Sequence, residues 1–218
     1  MATVTSDVPV GQLGPVEQLR AGRLTRRLVQ LLVGLVLYGA SLAMMVRGGL
    51  GVAPWNVLDT GVARLTPLSL GEVVVVMSFV VLLAWIPLRE KPGLGTLVNA
   101  ILVGVSTDAT LAVLPPAGGL LPELLLLVGG VLACAVATAM YIGAQLGRGP
   151  RDGLMTGLVR RTGLSVRLVR TSIELVVVAL GWLLGGTVGV GTLLFALSIG
   201  PLVQPLLPCF EVRLPDRT

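Results

Sequence analysis

Long apolar runs, broken at short intervals by proline, glycine and charged residues, pattern most of the chain. Read by length and by breakers, they predict six transmembrane helices: Leu28 to Val46, Leu70 to Leu88, Gly93 to Leu114, Leu121 to Leu146, Val166 to Gly186 and Val190 to Phe210. A bilayer core about 30 Å thick takes roughly 20 apolar residues per helix, so six spans leave only short connections. The expected fold is an all-α membrane bundle. It divides into a basic N-terminal segment (1–27), a three-helix unit (28–116), a second three-helix unit (117–210) and a short tail (211–218).

Within this pattern one segment repeats. GLGVAPWNVLDTGVARLTPLS aligns with QLGRGPRDGLMTGLVRRTGLS, and Pro54 to Pro150 is a step of 96 residues. The same ungapped step carries Gly61 to Gly157, Arg64 to Arg160, Thr66 to Thr162 and Ser69 to Ser165, and sets GLGTLVNAILVG at Gly93 on GVGTLLFALSIG at Gly189. About a third of the paired positions between Leu50 and Gly104 are identical, which marks duplication of one unit. Because each unit has an odd number of spans, the second is expected to enter the membrane from the opposite side. Inverted repeats are the architecture of many secondary transporters.

Composition agrees with a lipid solvent. Hydrophobic side chains make up 54% of the 218 residues and charged ones 12%, with a mean hydropathy of +0.93; soluble domains carry about 25% charge. In a soluble protein a net charge of +5 would suggest nucleic acid. Here the basic residues sit between apolar runs. With the N-terminus inside, those of the first segment, of the break after Leu88, of 148–170 and of the tail all fall on the cytoplasmic side, leaving only Arg47 and Arg64 outside. The positive-inside rule therefore places both termini in the cytoplasm. The first apolar run has full spanning length and no small-residue cleavage site, so it reads as a retained helix and not a signal peptide. Histidine is absent, and Cys134 and Cys209 lack metal-ligand spacing, so no metal and no cofactor is expected.

The motifs G-x-G-x-x-P-W-N-V-L in the first unit and G-R-G-P-R-D-G-L-M in the second, each followed by G-x-G-T, resemble the YczE/YitT-like family of bacterial membrane proteins, and its YczE branch most. The resemblance runs from Arg27 to Pro208 and implies topology, not an activity.

The two proline segments, Pro54 to Leu65 and Pro150 to Arg161, are too short to span, about 18 Å each at 1.5 Å per residue. Proline suits a first helical turn, and the glycines before it permit a sharp bend. Two geometries follow. The segments dip inward as half-helices with their positive N-termini toward a buried site, or they lie flat in the interface, as Arg148, Arg151, Arg160 and Arg161 of the second copy suggest.

Candidate residues on a substrate or ion pathway are polar groups within this frame. Asp108 and Gln204 are repeat-equivalent and belong to small-residue packing faces, Thr96, Ala100, Gly104, Asp108 and Thr192, Ala196, Gly200, Gln204. Glu174 lies about two turns into the fifth span with Arg170 one turn below, a spacing that also allows simple local neutralisation. Asn56 and Asp152 follow the paired prolines, Arg151 adjoins Asp152, and Asn99 adds a polar group to the third span. Trp85 and Trp182, near span ends, are expected as interfacial anchors.

These features point to a transporter or channel for a small molecule or ion, with its site between the repeats. The competing reading is a membrane scaffold or regulatory protein docking cytoplasmic partners through the basic loop 147–170. An enzyme is not expected, since no nucleophile motif, metal set or phosphate loop accompanies the carboxylates. The bilayer is the obligatory partner; a second copy of the chain is a further one, and nucleic acid is not.

Overall fold

The computed structural model describes residue 18 and residues 21 to 213. Most of the N-terminal segment and the last five residues, with their basic side chains, lie outside the described residues. Among those described, eight helices and no strands are found: α1 Leu24–Gly48, α2 Pro54–Leu65, α3 Leu70–Leu88, α4 Leu94–Val113, α5 Leu120–Gly143, α6 Pro150–Thr162, α7 Val166–Leu183 and α8 Val190–Phe210. Five of them, α1, α3, α4, α5 and α8, are long and apolar enough to cross a membrane. Helix α7 is apolar in its second half but carries Arg167, Arg170 and Glu174 in its first.

The first and fifth helices depart most from the expected spans. Helix α1 begins one turn before Leu28, and α5 ends at Gly143, ahead of the predicted Leu146. Past that end, Gln145 and Gly147 adopt positive φ of 55° and 128°, a left-handed bend that aims the chain at α6.

Each element of the first unit starts 96 residues before its counterpart: Leu24 and Leu120, Pro54 and Pro150, Leu70 and Val166, Leu94 and Val190. Local sequence explains the matched starts. Ser69 and Ser165 accept from the backbone N–H three residues on, at 3.1 and 3.3 Å, and so cap α3 and α7. Gly93 and Gly189 each donate their N–H to the threonine three residues on, at 3.1 and 3.3 Å.

Contacts between the units are reciprocal. Between them, α1 and α5 pack together at the centre, α2 packs on α7 and α6 on α3; within each unit, α4 packs on α1 and α8 on α5. Gly95 N–H donates to Leu146 O at 2.7 Å, and Gly191 N–H donates to Leu50 O at 2.8 Å. Arg160 donates to Leu88 O at the end of α3, and its equivalent Arg64 donates to Gly185 O beyond the end of α7. Gly34 lies against Met140, and Gly130 against Met44 and Met45. A contact from unit one to unit two that recurs from unit two to unit one is what a two-fold relation produces.

One reciprocal contact is kept with different residues. A Cβ on Gly181 of α7 would meet the backbone of Val57 and Leu58 of α2, and a Cβ on Gly153 of α6 would lie 1.9 Å from Trp85 Cζ2 of α3. Large and small residues have changed sides. Trp85 is therefore no interfacial anchor: its ring is buried and its Nε1–H donates to Pro150 O at 2.9 Å. Trp182, 67% exposed on α7, keeps the outward position expected of an anchor.

The units differ in one large respect. Helices α3 and α4 are in close contact, since a Cβ on Gly104 would fall 2.3 Å from Gly71 O, whereas α7 and α8 scarcely touch and nothing lies within 4 Å of a Cβ on Gly200. The packing face expected on α8 is thus not packed. Thr192 is buried, but Ala196 and Gln204 are exposed.

Candidate functional site

The gap between α7 and α8 opens into a cavity of about 360 Å³ at the junction of the two units. Its floor is the start of α2, Pro54 and Trp55; α7 supplies Arg170 and Glu174, and α8 supplies Phe195 and Gln204. Tyr38, Tyr141, Arg151 and Asp152 close its inner wall. Behind them lies a second cavity of about 50 Å³, lined by Val74, Ser78, Asn99 and Val103, and bounded by the same four residues. Val74, Ser78, Asn99 and Val103 are the repeat equivalents of Arg170, Glu174, Phe195 and Ile199, all of which line the large cavity. The molecule therefore holds two repeat-related cavities of unequal size on the two sides of one partition.

The half-helices build that partition. They are buried to different extents: α6 buries Pro150, Gly153 and Gly157 along one face, and α2 buries more. In α2, Pro54, Asn56, Val57, Leu58, Asp59, Thr60 and Gly61 are all buried, and both proline ends reach a cavity. With proline at N1, the first N–H groups of each helix are left outside its hydrogen-bond ladder and give the partition a positive edge.

Charges are paired across the two halves. Arg151 Nη2 lies 2.7 Å from Asp59 Oδ2, with the Asp59 side chain wholly buried, and Asn56 Nδ2 donates to the same oxygen at 3.0 Å. The Arg151 guanidinium also sits 5.0 Å from the centroid of the Trp55 ring, a cation–π contact between repeat-equivalent positions at the meeting point of the units. Tyr141 donates its hydroxyl proton to Asp152, and its ring packs edge-on against Tyr38 at 6.2 Å. Arg170 Nε lies 2.9 Å from Glu174 Oε1, the local pair their spacing allows, at the cavity wall.

Of the seven sequence candidates, the large cavity gathers Glu174, Gln204, Arg151 and Asp152; Asn99 lines the small one, and Asn56 braces Asp59. Asp108 lines neither. Its carboxylate accepts from Gly71 N–H at 2.8 Å and from the Ser69 hydroxyl, capping the first turn of α3 from α4. It ties the start of α3 to α4, the two helices that line the small cavity.

Sequence reasoning missed Asp59 and Arg27. Asp59 corresponds to Met155 in the second unit, so a comparison of matched polar positions passes over it; the signal was an acid in a buried half-helix with no base one turn away. Arg27 reads as basic flank, yet it is wholly buried. It donates to Ala144 O at 2.8 Å and Gln145 O at 2.7 Å, satisfying carbonyls at the end of α5.

Outside the junction, many large apolar side chains face outward, among them Leu83, Ile86, Leu125 and Leu197 at 64% to 72% exposure. Soluble proteins rarely show contiguous apolar surface on this scale. The chain is a multi-helix, apolar membrane protein. It belongs to a family of unknown function, DUF6198, whose model matches residues 25–207. It is 42% identical to an uncharacterized protein of Haemophilus influenzae over 174 residues, 80% of each chain. It is also 29% identical to the uncharacterized membrane protein YczE of Bacillus subtilis over 177 residues, 80% of this chain and 82% of the relative, in keeping with the resemblance of its motifs. No solved structure matches it.

Proposed function

We propose that this protein is a transporter of a small molecule or ion, with six spans in two inverted units and the substrate site at the partition between them. The observation that carries the reading is the pair of repeat-related cavities, about 360 and 50 Å³, that share Tyr38, Tyr141, Arg151 and Asp152. Two halves of one construction in unequal packing are what alternating access requires, because exchange of the two arrangements would open the small cavity and close the large one around a fixed centre. Helix α7 counts as the sixth span: it occupies the place of α3, and its three charges sit in its first half, two of them, Arg170 and Glu174, lining the cavity. With an odd number of spans per unit, the two-fold relation then lies in the membrane plane, and the cavities face opposite sides.

The docking alternative loses support from the same contacts. Arg160 and Arg161, the core of the basic loop, direct their guanidinium groups to Leu88 O, Glu90 and Pro87 O at the end of α3, where they close a helix C-terminus.

Flux into proteoliposomes, measured with a broad panel of small solutes and ions, tests the reading. Uptake or efflux of at least one solute is expected, reduced by Asp152→Asn and by Glu174→Gln and retained by Glu211→Gln. No movement of any solute, with no ligand-dependent thermal shift, would refute it.

A further inference from the structure

The chemistry of the large cavity narrows the substrate class. The chain has three tryptophans, two tyrosines and three phenylalanines, and half of these rings, Tyr38, Trp55, Tyr141 and Phe195, line this one cavity. Not every charge there is paired. Asp152 and Glu174 contribute two carboxylates to the lining and Arg151 and Arg170 two guanidinium groups, each of these committed to a partner, Arg151 to the buried Asp59 behind the wall at 2.7 Å and Arg170 to Glu174 at 2.9 Å. Arg148, the next cation along the chain, turns its guanidinium to Thr156 Oγ1 at 2.9 Å and does not line the cavity. Asp152 is left with a tyrosine hydroxyl and no ion pair among the described residues. Its carboxylate is incompletely buried and bounds both cavities.

A carboxylate without an ion pair in a low-dielectric site calls for a compensating positive charge. Aromatic rings around it favour a cation that carries its own apolar groups, since ring faces attract positive charge and ring bodies bury alkyl surface. The volume, about 360 Å³, suits a small organic molecule and is far more than a bare ion fills. Resting on the transporter reading, we propose that the substrate class is a small organic monocation. Its charge sits at Asp152 and its apolar groups among Tyr38, Trp55, Tyr141 and Phe195. Because Asp152 belongs to both cavities, a cation held there is at the point that either side reaches.

The test is equilibrium binding to the full-length chain in detergent, with tetraethylammonium as the cation, glycine betaine as a zwitterion and benzoate as an anion. Saturable tetraethylammonium binding is expected. Asp152→Asn should weaken it about 10-fold, Asp152→Glu should weaken it less, and Glu211→Gln, outside the cavity, should leave it unchanged. Size-exclusion profiles check folding; should Asp152→Asn not fold, Phe195→Ala carries the test with an expected loss of about threefold. Preference for benzoate or betaine, equal tetraethylammonium binding by Asp152→Asn, or no tetraethylammonium binding would each overturn the proposal. Tetraethylammonium binding without flux would refute transport and leave the site standing. Flux of an anion without cation binding would do the reverse.

Discussion

Arg27 shows how a residue that looks like surface charge becomes structure. Its guanidinium, wholly buried, takes up Ala144 O and Gln145 O as α5 ends, and it also donates to Gln18 O at 2.6 Å. Replacing it with methionine would leave buried carbonyls unpaired, each costing about 1–3 kcal/mol. Thermal melts in detergent should therefore show Arg27→Met several degrees below the native chain, with the neighbouring exposed Arg26→Met close to native. Equal melting of the two variants would mean that Arg27 is only topological charge. Nothing in the sequence separates Arg26 from Arg27, because the partner carbonyls lie 117 and 118 residues away. Asp59 was hidden for a related reason: its base, Arg151, is 92 residues distant.

At the scale of elements, the repeat was readable because duplication preserves the caps. Ser69 and Ser165, Gly93 and Gly189, and the paired prolines set helix starts at the same step of 96. What each helix packs against was not readable, since exchange between units pairs residues that no local pattern joins. Trp85 illustrates the limit: its place near a span end suggested the interface, while Gly153 opposite it made an interior slot. Gly153→Ala should destabilise the fold by about 1–3 kcal/mol through overpacking against that ring. A neutral Gly153→Ala would show that α6 and α3 are not in close contact.

The whole molecule is one construction used twice in two states of closure. On one side Asp108 and the Gly71 and Gly104 contact draw α3 onto α4; on the other, Gln204 replaces the aspartate, Arg167 replaces Gly71, and α7 stands off α8. The repeat predicted two similar halves, and these substitutions at matched positions account for the half that stays open. The central claim, that the two cavities serve opposite faces of the membrane, is tested most directly by single-cysteine labelling with a membrane-impermeant thiol reagent. The repeat-equivalent variants Ser78→Cys and Glu174→Cys, each with Cys134 and Cys209 replaced, are compared in right-side-out and inside-out vesicles. Glu174→Cys should react readily from the cytoplasmic face and Ser78→Cys more slowly from the opposite one; reaction of both from the same face would contradict the account.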